Sequence, residues 1–165
     1  MSIYDNLSAQ AGNGNSLKFA FQGGTTTTFH IVGDPLAVRQ SFDNETARRA
    51  FFFPALKYNG AGEAEQVVVF KAGEMIWEDI LTLAKNKRWG HPTKYSIEIT
   101  ATGEGKERRY KVMPGEKKGI VEEERKMIEE AKPSIEKYWS GIIDNDATKE
   151  VLSEGSVILD DPFAE

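Results

Sequence analysis

There is no cysteine among the 165 residues. Disulfide staples, thiolate zinc sites and cysteine nucleophiles are excluded at once. Histidine is almost as scarce: only His30 and His91 occur, too few for a site built on several imidazoles. No apolar run approaches the ~20 residues that a membrane helix needs. The opening residues, Met1-Ser2-Ile3-Tyr4-Asp5-Asn6, lack the basic-then-apolar order of a secretion signal. A cytoplasmic setting without membrane association is therefore expected. The Gly-x-Ser-x-Gly elbow of a hydrolase is missing too. Thr102-Gly103-Glu104-Gly105-Lys106-Glu107 only imitates a phosphate loop. Thr100 stands where such a loop needs its first glycine, and Glu107 where it needs serine or threonine. Carboxylates are plentiful but scattered, so no acid–base pair stands out. No enzymatic activity, metal or cofactor is expected.

The apolar fraction of 39% and charged fraction of 28% are those of a folded chain, and the length suits one domain with a true core. The charge is unevenly spread. Residues 1–120 carry 16 basic and 13 acidic side chains, whereas residues 121–165 carry 5 and 13. The excess is densest over residues 85–118, with 10 basic against 4 acidic. A basic body before an acidic end suggests an anionic ligand for the body and a separate role for the end.

Residues 1–16, with Gly12-Asn13-Gly14-Asn15, read as a mobile arm. Leu17, Phe19 and Phe21 alternate as in a strand, and a second β-prone run leads through Phe29-His30-Ile31-Val32 to Gly33-Asp34-Pro35. Residues 36–58 are the hardest to assign. Thr46 to Lys57 suits a short helix or a strand, and Pro54 argues against the centre of a sheet. Gln66 to Phe70 is a buried strand. From Glu74 the period becomes helical, with Ile76, Trp77, Ile80, Leu83 and Ala84 on one face and Gly90-His91-Pro92 beyond the end. Tyr95, Ile97 and Ile99 alternate, Gly103-Glu104-Gly105 turns the chain, and Arg109 to Met113 answers as a partner strand. Val121 to Lys132 is helical, and Pro133 suits the first turn of a further helix bearing Ile135, Tyr138 and Trp139.

Two or three strands, a helix and two more strands is the order of a five-stranded Greek-key barrel of the oligonucleotide-binding type. The chain then divides into the arm (1–16), this barrel (17–114), a helical segment (115–143) and an acidic disordered tail (144–165). Binding of a single strand needs cations along a groove and aromatic faces for bases. Arg48, Arg49, Lys57, Arg108, Arg109 and Lys111 are the candidate phosphate contacts. Phe51, Phe52 and Phe53 alternate between the two sides of an extended chain, so Phe52 has two roles open to it, an edge cover or a stacking platform. Tyr58 is the second candidate platform. Trp77 and Trp89 read as core. A rival reading makes the chain a protein-interaction module, its surface being Met127, Ile128, Ile135, Tyr138 and Trp139.

The stretch Phe70-Lys71-Ala72-Gly73, the helix after it, Trp89-Gly90-His91-Pro92-Thr93-Lys94-Tyr95 and the hairpin through Tyr110-Lys111-Val112 resembles single-stranded-DNA-binding proteins of tailed bacteriophages. The resemblance spans about residues 66–114. It implies an oligonucleotide-binding fold and protection of DNA during replication and recombination, in the bacterial host cytoplasm. Some of those phage proteins carry a cysteine-bearing zinc loop, and no such role transfers to a chain without cysteine. Asp160-Asp161-Pro162-Phe163 resembles the acidic tails of bacterial single-strand binders. It departs from them in lacking a residue between Asp161 and Pro162 and in continuing with Ala164-Glu165. Asp160, Asp161 and Phe163 are the implied contacts for replication proteins. The sequence leaves room for a homo-oligomer.

Overall fold

The computed structural model describes residues 17–43 and 45–157. Within them the chain is mainly β with two α-helices. In order these are β1 (Lys18–Phe19), β2 (Thr25–Ile31), β3 (Leu36–Gln40), β4 (Arg48–Tyr58), β5 (Ala64–Ala72), α1 (Glu74–Lys85), β6 (Tyr95–Thr102), β7 (Arg109–Lys117), α2 (Glu122–Ile143) and β8 (Thr148–Ser153).

The stretch with two possible conformations is β4, the strand around which the sheet is organised. On one edge it pairs with β5. On the other, β2 and β3 lie end to end: Thr28–Ile31 face Ala55–Tyr58, and Leu36–Gln40 face Arg48–Phe52. Pro54 sits opposite the break between them, and its carbonyl accepts the Val32 amide at 2.9 Å. A strand residue's nitrogen and carbonyl point to the same edge. The missing N–H of Pro54 therefore falls into the break and removes no ladder bond. This corrects the expectation that Pro54 keeps the segment out of a sheet centre.

The strands follow the order β1-β5-β4-β2-β6-β7, with β3 bridging β4 to β8. Only β1 runs parallel to its neighbour. The run β6-β2-β4-β5 has the 4-1-2-3 order of a Greek key, and α1 supplies its long connection. No hydrogen-bonded ladder joins β1 to β7. Rings fill the gap: Phe21 meets Tyr110 edge-on at 5.3 Å, and Phe19 meets Phe29 at 5.1 Å.

The sheet carries a core on each face. One holds Phe29, Ile31, Phe53, Phe70, Tyr95, Ile97 and Ile99 against Ile76 and Ile80 of α1. The other holds Leu36, Val38, Phe52, Leu56, Val67 and Val69 against Ile128, Ile135 and Trp139 of α2. Helix α2 is continuous through Pro133, where two helices were expected. An interior proline costs ~3 kcal/mol. Burying each of Ile128 and Ile135 is worth ~1.5–3 kcal/mol, so the packing of this face outweighs the break.

The acidic end from residue 144 was expected to be disordered. Instead Thr148–Ser153 forms β8 on β3. The next turn docks as well: the Ser156 amide donates to the Asp34 carbonyl at 3.1 Å, and the Asp34 amide to Ser156 Oγ at 3.1 Å. A Cβ on Gly33 would run into the Ser156 carbonyl, so a glycine there lets the two backbones touch. The helical segment and this end are built onto the sheet rather than trailing from it. The expected N-terminal arm, residues 1–16, lies outside the described residues, as does 158–165.

Candidate nucleic-acid interface

The eight nominated contacts do not form one surface. Phe52 and Tyr58 are 6% and 5% exposed. Both lie on the β4 face that α2 covers, so neither offers a ring to a base in this structure. Sequence pattern alone separates residues 115–143 from the barrel, which leaves that face without a cover. Tyr58 is anchored further. Its hydroxyl donates to Glu124 Oε2 at 3.0 Å, Glu124 Oε1 accepts the Val121 amide at 3.2 Å, and Lys118 Nζ stands 3.9 Å from the ring centroid. Burial, then the Glu124 charge and hydrogen bond, hold the Tyr58 hydroxyl well above its ordinary pKa.

Several nominated cations are engaged. Arg49 grips Glu74 of α1 through two bonds, at 2.6 and 2.7 Å, and that bond holds the Glu74 carboxyl below its usual range. Lys57 pairs with Glu65 at 2.6 Å. Arg108 donates to the Gly103 carbonyl at 2.8 Å and the Phe21 carbonyl at 3.1 Å. It ties the β6–β7 turn to the segment beside β1, which is a structural role. Arg109 bends back onto the carbonyls of Lys106 and Arg108, at 3.3 and 2.9 Å, while remaining exposed. Arg48 and Lys111 are exposed. Lys111 and Arg109 alternate along β7 opposite Thr100 and Thr102. The hydroxyls of Thr100 and Thr26 lie 2.8 Å apart on the neighbouring strands.

The structure adds residues that were not nominated. Lys71 stands opposite Phe52 in the ladder, with its ammonium 5.9 Å from the Phe52 ring and 5.3 Å from the Phe42 ring. Phe42, in the turn after β3, is 47% exposed. Burial, and then the charge of Lys18, lower the Lys71 pKa. Arg48 shares this face of β4 by strand alternation. Phe42 and Lys71 thus stand together near Lys18, and the groove beside Phe42 is also lined by Asp43, Asp146 and Lys149. A lone phenylalanine in the polar run Ser41-Phe42-Asp43-Asn44-Glu45 was the available signal.

An open groove of about 630 Å³ lies beside the Tyr58 end of β4, lined by Thr26, Thr28, Lys118 and Glu98, among others. Glu65 and Glu116 also line it, so its charge is mixed and it does not select an anion. His30 is buried and donates from Nε2 to the Thr93 carbonyl at 2.6 Å, a core role. Among the described residues no cluster of His, Asp or Glu has the makings of a metal site, and no helix is long and apolar enough to cross a membrane. Met127, Ile128, Ile135, Tyr138 and Trp139, the surface of the rival reading, belong to the core between α2 and the sheet. Asp160, Asp161 and Phe163 lie outside the described residues. No protein-family model, curated protein or solved structure matches the chain.

Proposed function

We propose that this chain binds single-stranded DNA without strong sequence preference and protects it during phage replication and recombination. One observation carries the reading. Counting β2 and β3 as one bent strand, the sheet runs β5-β4-β2-β6-β7 with α1 between β5 and β6 in the chain. This supports the five-stranded oligonucleotide-binding barrel, whose second and third strands and flanking loops are its ligand surface. Phe42 with Lys71, and Arg48 at the start of β4, lie toward the end of that strand pair. Lys111 and Arg109 give β7 a second cationic row. An acidic tail bearing Asp160, Asp161 and Phe163 suits contact with replication proteins. The interaction-module reading loses its support, because its apolar stripe is spent on the chain's own sheet.

Fluorescence anisotropy tests the reading. Labelled oligo-dT and its duplex are titrated with the full chain at two salt concentrations. Binding to the single strand is expected to be the tighter, and to weaken with log-salt slope of about −0.7 per phosphate neutralised. Absence of single-strand binding at low salt overturns the reading.

A further inference from the structure

A second cationic and aromatic cluster lies where the turn after α1 meets the end of β7. Trp89 follows α1 and is only half-buried. Its indole packs edge-on against Tyr95 at 5.2 Å. Arg88 Cζ lies 5.9 Å, and Lys117 Nζ 5.7 Å, from the centre of the same ring. Lys117 Nζ also donates to the Arg88 carbonyl. The Lys118 amide donates to the Lys94 carbonyl at 3.2 Å, which sets the backbone before β6 beside the end of β7. Three separate stretches of chain therefore converge: the turn after α1, the residues before β6, and the end of β7. The turn is held rigidly. Asn86 Oδ1 accepts the Arg88 amide at 2.8 Å, the Asn86 carbonyl accepts the Gly90 amide at 2.8 Å, and Gly90 takes φ +72°.

Arg88, Lys94, Lys117 and Lys118 enter no ion pair among the described residues; the four pairs there involve other cations. Lys85 and Lys87 are exposed next to them, and Glu116 is the one carboxylate adjoining them in the chain. Arg88 and Lys117 repel one another across one indole, and an anion relieves that repulsion. A free phosphate needs no aromatic partner. A half-exposed indole among cations instead matches a ligand that alternates anionic links with flat rings.

Resting on the single-strand reading, we propose that Trp89, Arg88, Lys94 and Lys117 form a contact platform for single-stranded nucleic acid. Phosphates sit on the cations, and a base lies against the indole or the Arg88 guanidinium. Past the bulge in β7, Lys117 stands opposite Tyr95, so the platform lies on the α1 face of the sheet, whereas Lys111 and Arg109, opposite Thr100 and Thr102, lie on the other.

Two variants and a map test this. Lys94→Gln with Lys117→Gln changes two exposed side chains and leaves the core alone. Its affinity for oligo-dT should fall about tenfold at moderate salt, and its salt slope should shrink by about 1.4, two phosphates' worth. Lys126→Gln with Lys137→Gln, on the solvent side of α2, should match the unaltered chain. Photo-cross-linking with an oligonucleotide carrying 5-iodo-deoxyuridine should label the peptide containing Trp89, and Trp89→Phe should diminish that label. If the unaltered chain binds oligo-dT while the Lys94/Lys117 variant keeps its affinity and slope, or cross-links fall elsewhere, the platform is wrong and the single-strand reading stands. If the unaltered chain binds no single strand, both fall. Equal affinity for the duplex removes the role of Trp89 as a base contact.

Discussion

Tyr58 carries the most consequential single contact. Its hydroxyl bonds Glu124, so the start of α2 is held to β4 by one buried polar pair. Tyr58→Phe leaves a Glu124 oxygen without that donor and should cost about 1–3 kcal/mol in urea denaturation. The pH dependence follows from the same group. The Tyr58 hydroxyl is raised above its ordinary value of 10.0, and burial pushes Tyr95 up to about 12. The folded chain keeps these protons where the unfolded chain loses them. The stability so contributed is complete below pH 10 and is lost as pH climbs through the folded-state values. The urea midpoint should therefore drop between pH 10 and 12, and the drop should be shallower in Tyr58→Phe. An identical slope in both proteins would remove Tyr58 from this account. Arg108 and Arg49 carry a lesson at this scale. Both read as phosphate contacts from charge alone, yet one holds carbonyls and the other grips Glu74. A sequence gives the charge of a side chain but not the partner that occupies it.

Among the elements, α2 and β4 decide what the surface offers. The amphipathic period of α2 was legible: Ile128, Ile135 and Trp139 share one stripe. Its destination was not, because periodicity names a face and leaves open what covers it. That face belongs to β4 and β5. Ile128→Ala or Ile135→Ala should destabilise by about 2–5 kcal/mol, read from the thermal or urea midpoint. Losses below 1 kcal/mol at both sites would mean that α2 adheres loosely and that Phe52 and Tyr58 are within reach after all. The break between β2 and β3 was hidden for a related reason. Pro54 is unfavourable in an isolated reading of β4 and harmless opposite Val32, a pairing between residues 22 apart in the chain.

On the scale of the whole molecule, the stretch after α2 is part of the sheet, with Thr148–Ser153 paired to β3. Gly33 and Asp34 receive Ser156, and a Cβ on Gly155 would strike the Trp139 indole. Gly33→Ala should force these backbones apart at about 1–3 kcal/mol. It should also speed proteolysis between β8 and the C-terminus. Unchanged melting and cleavage would show that the end docks without contributing to stability. The same assembly places the basic residues. Those of 85–118 form a dense run in the sequence, but folding sends Arg108 inward to backbone carbonyls and brings Arg88 and Lys117 to Trp89.

The sequence by itself determined the strands with clean alternation, the helix Glu74–Lys85, the basic body and the absence of thiolate chemistry. Each of these depends on residue type and on spacing within a single element. Tertiary structure alone decided which face α2 covers, where Pro54 is tolerated, that Thr148–Ser153 pairs as a strand, and which cations stay free. Those outcomes depend on contacts between residues far apart in the chain. Local propensity has no access to such contacts, because their free energy arises only when two distant surfaces exclude water together.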